Sequence, residues 1–274
     1  MGGRLPGFWL VVAVTGLFAA FAPADAAQCG NTAEGFKAWL EDFRQVAIND
    51  GVSPDVVDNA LGRASFDPSV LRHDEGQSAW NGNFESFAAS HVTAGRVKRG
   101  KQMMLAYAEP LDRIEQTYGV PAPVLVAIWG LETDYGAALG KYPTFNALAT
   151  LAYDCRRGSL YRAELIDALM IVQRGLLTPD QMRGAWAGEL GQTQFMPSAY
   201  LKYGVDGHGG RGANLMKDSS AALASTANFL RSKGWQRGAG WNEGQPNFAV
   251  IQQWNSAIVY AKTIALFANK LNAQ

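Results

Sequence analysis

The chain has 274 residues, of which 48% are hydrophobic, and its 24 basic side chains are balanced by 24 acidic ones. A neutral chain lacks the basic surface that a nucleic-acid partner requires, so an uncharged or mixed-charge ligand is expected instead. The length suffices to bury a sizeable core in one large domain or two closely packed ones.

The opening stretch, "MGGRLPGFWLVVAVTGLFAAFAPADAAQCG", carries Arg4, an apolar run from Phe8 to Phe21, and small residues at Ala24 and Ala26. This is the pattern of a secretory signal peptide over 1–26, cleaved after Ala26, because the run falls short of the ~20 residues a spanning helix needs. Gln28 stands before Cys29, where a lipoprotein signal wants a small residue. The expectation is an exported, periplasmic protein with no stable membrane insertion after cleavage. Arg4 and Asp25 leave together, so the mature chain stays neutral. Cys29 and Cys155 are candidate disulfide partners in an oxidising compartment, a pairing the sequence alone does not decide.

Beyond the leader the pattern is helical. Apolar residues at three- and four-residue spacing run through 34–48, 53–63, 78–97, 100–118, 122–135, 160–174, 178–184, 197–203, 219–233 and 256–271, with Gly, Pro and Asn breaks between them. Ser53-Pro54, Thr178-Pro179 and Pro121-Ala122-Pro123 are the strongest start signals. The glycine-rich residues 203–218 read as a surface loop. The fold class expected is all-α, mainly helical. Eight Trp and nine Tyr suit stacking against sugars, although core packing claims most of them.

One carboxylate stands out in "AIWGLETDYG". Leu125, Ile128, Trp129 and Glu132 share a helix face, so Glu132 is expected to be at least half buried, and desolvation raises a carboxyl's pKa toward the range of a general acid. Asp134 lies about 200° further round and cannot converge with it. The helix by itself also allows a Glu132 that tips into solvent or pairs with an Arg. A second segment, "AWAGELGQTQFMPSAYLKYG", follows Gly184 with two more glycines, Gly188 and Gly191, which permit close backbone approach to a ligand. The amides Gln192 and Gln194 on this turn suit hydroxyl and acetamido groups, and Pro197 then opens a helix.

Taken together, "YGVPAPVLVAIWGLETDYG", "TFNALATLAYD", "WAGELGQTQFMPSAY", "SSAALASTANFLRSKGW" and "WNSAIVYA" resemble, in this order, the lytic murein transglycosylase B family. "FDPSVLRHDEGQSAWNGNFESF" extends the resemblance over nearly all of the mature chain. The resemblance implies a lysozyme-like catalytic core, drawn at 110–235, between an N-terminal helical region, 27–109, and a C-terminal segment, 236–274. It implies binding of peptidoglycan glycan strands and cleavage of the MurNAc-β-1,4-GlcNAc bond. The sugar's own C6 hydroxyl attacks, giving a 1,6-anhydro end, and no cofactor is needed. Glu132 matches the family's single catalytic acid. Gln194 matches a cleft amide, Asn255 an asparagine near the catalytic glutamate, and Trp254 a frequent aromatic. Tyr153 and Tyr260 are weaker cleft candidates, for which core packing is an equal reading, and Phe195 and Met196 are assigned mainly to packing.

Two departures from the family pattern matter. Ala185 stands where some members place a serine that hydrogen-bonds the catalytic carboxylate. Where some members carry an EF-hand-type calcium loop, "VDGHGGRGANLMKD" offers only Asp206 and Asp218 as carboxylates, so no metal is expected, and His208 reads as a solvated loop residue. The alternatives are a lysozyme-type hydrolase, for which Glu189 is the only second carboxylate in view, and a non-catalytic peptidoglycan-binding protein. Partners among cell-wall synthases or envelope machinery are not legible.

Overall fold

Side-chain caps and prolines fix where most helices begin. The computed structural model describes residues 28–76, 83–207 and 212–273, so the leader expected over 1–26 and His208 lie outside the described residues. Thr32 caps α1 (Ala33–Asn49) by accepting from Gly35 N, and Pro54 occupies the first turn of α2 (Pro54–Leu61). Asp67, Asn83 and Thr93 cap α3 (Pro68–Glu75), α4 (Phe84–His91) and α5 (Ala94–Ala106) in the same way. Then come α6 (Ala108–Tyr118), which ends on left-handed Gly119, and α7 (Ala122–Thr133), which starts after Pro121. The strand β1 (Tyr142–Pro143) leads into α8 (Thr144–Tyr153) and α9 (Gly158–Gln173). A 3-10 turn at Pro179–Gln181 precedes β2 (Arg183–Gly184), which pairs antiparallel with β1, Tyr142 opposite Gly184. The chain continues through α10 (Pro197–Tyr203), α11 (Ser219–Ser232), α12 (Phe248–Trp254) and α13 (Ile258–Asn272). The all-α expectation holds.

Several boundaries differ from the periodicity. The segment expected over 78–97 breaks at Thr93, and 100–118 breaks at Tyr107. The 178–184 stretch is a 3-10 turn and a short strand rather than an α-helix, because Arg183 and Gly184 pair with β1. Helices α3, α8 and α12 were not expected. Nine of the ten residues of α8 are buried, so it carries no polar face for a helical period to reveal. The same holds for α7, buried from Pro123 to Gly130 on every side rather than along one stripe, because α5, α6, α11 and α13 pack around it.

The buried side chains form two clusters. One gathers α1, α2, α3, α8, α9 and α10 around residues such as Trp39, Leu148 and Leu165. The other gathers α6, α7, α11, α12 and α13 around Leu125, Trp129 and Phe267. Residues 110–235 contribute to both. Phe229 and Trp254 pack against both clusters, and a cleft opens where they meet. Among the described residues no helix is long and apolar enough to cross a membrane.

Tyr153 belongs to the first cluster and not to the cleft. It is 3% exposed, with its ring 5.8 Å from Phe36 and 5.7 Å from Trp39, so an aromatic core accounts for it. Beside it Cys29 and Cys155 form a disulfide with Cα atoms 5.0 Å apart, and Gly30 N donates to the Tyr153 carbonyl at 2.9 Å. The bridge closes a loop of sequence separation 126, which removes much chain entropy from the unfolded state. Replacing both cysteines by serine is expected to lower the unfolding free energy by roughly 2–4 kcal/mol. Urea titration of the double variant, beside reduced and oxidised wild type, checks this; equal stability of all three would refute it.

Candidate active site

The end of α7 sets the position of Glu132. Asp134 and Tyr135 adopt left-handed conformations, φ 50 and 62, followed by Gly136 at φ 80. Two consecutive non-glycine residues in this region cost about 1–2 kcal/mol each, so something must hold them. Asp134 pairs with Arg99 at 2.5 Å and Arg96 at 3.5 Å, and the Tyr135 hydroxyl donates to the Arg96 carbonyl at 2.7 Å. The Tyr135 ring folds back over Gly130, where an added Cβ would lie 2.8 Å from it. Asp134 is thereby directed away from Glu132 and toward α5. Thr133 is tied across the cleft wall, its hydroxyl donating to the Gln192 carbonyl at 2.5 Å.

Glu132 opens onto the cleft, yet its carboxyl group is enclosed by protein. The Trp254 indole N–H donates to Oε1 at 2.9 Å, and the Tyr260 hydroxyl donates to the same oxygen at 2.8 Å. Among the described residues nothing hydrogen-bonds Oε2. Burial pushes the carboxyl up to about 7; the two hydrogen bonds favour the carboxylate and pull the other way, while nearby Glu189 adds to the rise. The Tyr260 hydroxyl is itself held well above its usual range, by burial first and then by Glu132. A proton on Glu132 therefore belongs on Oε2, the oxygen that receives no donor.

The facing wall is the glycine loop. Leu190 and Phe195 exchange backbone hydrogen bonds of 2.7 and 2.8 Å around a tight turn in which Gln194 is left-handed, φ 56. That conformation turns Gln194 toward the cleft. Its Nε2 is spent on the carbonyls of Gly191, 2.8 Å, and Leu139, 3.3 Å, which leaves its oxygen as an acceptor. Beyond the turn, Glu164 of α9 anchors the first turn of α10 by accepting from Ser198 N, 2.9 Å, and Ser198 Oγ, 2.7 Å.

The cleft holds about 490 Å³, and its wall includes Glu132, Glu189, Gln194, Met196, Trp254 and Asn255. Asn255 ends α12 with Oδ1 accepting from Ala257 N at 3.0 Å, so its amide nitrogen remains for a ligand. Phe195 and Phe229 meet Trp254 edge-on, both at 5.2 Å, and fix the indole that donates to Glu132.

One of the expected ligand contacts is held in a structural role instead. Gln192 is 5% exposed, and its Oε1 accepts from the Trp129 indole at 3.1 Å and from Ser219 Oγ at 3.0 Å. It braces α7 against the glycine loop. Tyr260 and Trp254 reach the carboxylate itself. Phe229, on the floor of the cleft, was not among the sequence candidates, and in "ASTANFL" nothing distinguishes it from core. Asp218, one of two loop carboxylates considered for calcium, is spent as the cap of α11, accepting from Ala221 N at 3.0 Å. That donor set does not fit the ion.

A family model described as the transglycosylase SLT domain matches residues 35–245. Over 159 residues the chain is 35% identical to the membrane-bound lytic murein transglycosylase B of Escherichia coli strain K12, covering 58% of this chain and 44% of that protein. The match thus spans less than half of that relative's length. SltB3 from Pseudomonas aeruginosa, solved in complex with NAG-NAM-pentapeptide, superposes with a TM-score of 0.82 at 28% identity, covering 87% of this chain and 80% of that one. The Escherichia coli lytic transglycosylase Slt35, solved in complex with bulgecin A, gives 0.76 at 26% identity, with coverages of 85% and 92%. The matched stretch contains α7 with Glu132 and the whole glycine loop, while Trp254, Asn255 and Tyr260 lie beyond it. The chain belongs to the transglycosylase SLT domain family.

Proposed function

We propose that this protein is a peptidoglycan lytic transglycosylase that cuts the MurNAc-β-1,4-GlcNAc bond with Glu132 as its single acid and base. The carrying observation is one enclosed carboxyl group on the cleft wall, with Oε1 held by Trp254 and Tyr260 and Oε2 without a donor among the described residues. The relative named as a lytic murein transglycosylase and the neighbour solved with NAG-NAM-pentapeptide support the same substrate. The expected leader would place the enzyme in the periplasm, where glycan strands are.

The chemistry follows from this geometry. Glu132 Oε2 gives its proton to the glycosidic oxygen, the C1–O bond breaks, and its electron pair leaves with the GlcNAc O4. The substrate's 2-acetamido oxygen stabilises the cationic C1, as in substrate-assisted glycosidases. Glu132, now a carboxylate, accepts the proton of the C6 hydroxyl as that oxygen closes on C1, giving the 1,6-anhydro sugar and restoring the acid. The free oxygen of Gln194 and the free amide nitrogen of Asn255 are placed to bind acetamido and hydroxyl groups. Asp134, committed to Arg96 and Arg99, takes no part.

Digestion of sacculi followed by mass spectrometry tests the reading directly. Wild type is expected to release muropeptides one water lighter than a hydrolase would, and Glu132→Gln none, with a loss of about a thousandfold or more; products with only reducing ends would establish hydrolysis instead. Equal strand binding by wild type and Glu132→Gln, with cleavage by neither, would mark a binding protein.

The acid must be protonated to start the reaction. The alkaline limb of the pH profile of kcat/KM is therefore expected near pH 7, activity falling above it. Tyr260→Phe removes a donor that favours the carboxylate, so the limb should move to higher pH; movement the other way would contradict the assignment. Asp134→Asn is expected to keep cleavage within about threefold of wild type, while the melting temperature drops through weakening of the two arginine pairs. A collapse of activity in a well-folded Asp134→Asn would place that carboxylate in the chemistry.

A further inference from the structure

Glu189 is the second carboxyl group in the cleft, and the mechanism above gives it no task. Its main chain is fixed from both sides. Ala185 N donates to its carbonyl at 3.3 Å, Gly184 approaches that carbonyl so closely that a Cβ would lie 1.7 Å from it, and neighbouring Leu190 is paired to Phe195. Its Oε2 is buried with no hydrogen-bond partner or ion pair among the described residues; burial pushes the carboxyl above its usual range, while hydrogen bonds to it from the backbone of Glu189 and Ala187 favour the carboxylate. An unpaired carboxyl oxygen shut away from water is costly, so its retention calls for a reason.

The groups around it supply one. Across the cleft α7 presents Glu132, bonded by Tyr260 of α13, which in turn faces Arg96 of α5, and by Trp254 of α12, beside neutral Gln253; Tyr161 of α9, next to Arg157 and Glu164, faces Glu189. The Arg96 guanidinium is engaged with Asp134 and the His91 carbonyl. Trp254 and Tyr260 both stabilise Glu132 as a carboxylate, the wrong form for an acid that must begin protonated. A negative charge facing Glu132 opposes them.

We propose that Glu189 is a positioning residue for the catalytic proton: its carboxylate, facing Glu132 in the cleft, keeps the proton on Glu132 in the resting enzyme. The inference rests on the transglycosylase reading for its purpose, though not for its measurement. Once Glu132 has given its proton to the glycosidic oxygen, two negative charges face one another, and this repulsion favours its taking the C6 hydroxyl proton back.

The test is a pH titration of the full chain carrying carboxyl-13C glutamate, followed by NMR, beside pH profiles of kcat/KM on glycan strands. In Glu189→Gln the Glu132 midpoint and the alkaline limb should both move to lower pH by roughly half a unit or more, since a facing charge is gone. In Glu189→Asp, which keeps the charge, both should stay near wild type. An unmoved Glu132 midpoint in Glu189→Gln overturns the proposal, even if cleavage slows. If Glu189→Gln does not fold, Glu189→Ala is judged by the same midpoint, and failure of both to fold assigns the residue to loop structure and overturns it. A wild type that cuts no glycan defeats the transglycosylase reading, while the NMR midpoints still decide the role of Glu189.

Discussion

A single oxygen atom, Oε1 of Glu132, receives hydrogen bonds from side chains of two helices. Trp254 arrives from the end of α12 at 2.9 Å and Tyr260 from the first turn of α13 at 2.8 Å. Much of the architecture serves that placement. The packing of α13 and α5 around α7 sets the axis, the left-handed turn at Asp134 and Tyr135 ends the helix at the cleft, and Phe195 and Phe229 clamp the indole edge-on. The two buried clusters share Phe229 and Trp254, so the acid's environment is also the seam of the core.

Opposing effects on Glu132 can be weighed. Moving a carboxyl from 4.5 to about 7 corresponds to a net preference of roughly 3 kcal/mol for the neutral form. Two hydrogen bonds to a charged acceptor oppose this by about 1.5–3 kcal/mol each, so the desolvation they offset must be larger than the net figure. The site therefore needs both features together. Burial alone would leave an acid too weak to surrender its proton, and donors alone would leave an ordinary carboxylate with no proton to give. A fully apolar pocket would also give the carboxylate no support at the moment it forms.

What could be read in the sequence was what local order encodes. Glu132 sits on a helix with an apolar run and a proline start, and the glycine-glutamine turn some sixty residues later has its own signature, so both walls of the cleft were visible. The contacts between them were not. Trp254 and Tyr260 lie 122 and 128 residues from Glu132, and no spacing rule spans that distance. Gln192 and Gln194 look interchangeable in "GQTQF", yet only the second sits in the left-handed region, and one backbone torsion sends it to the cleft while its neighbour is buried. Tyr153 failed for the opposite reason: in a helix buried on nearly every side, an aromatic residue carries no mark of which core it fills.

The supply of both donors from downstream orders events in time. In chain order α7 and the glycine loop precede α12 and α13, which supply both donors to Glu132. Those two hydrogen bonds exist only once the last two helices are docked. The surroundings that shift Glu132 are thus a property of the finished fold and not of the helix that carries it.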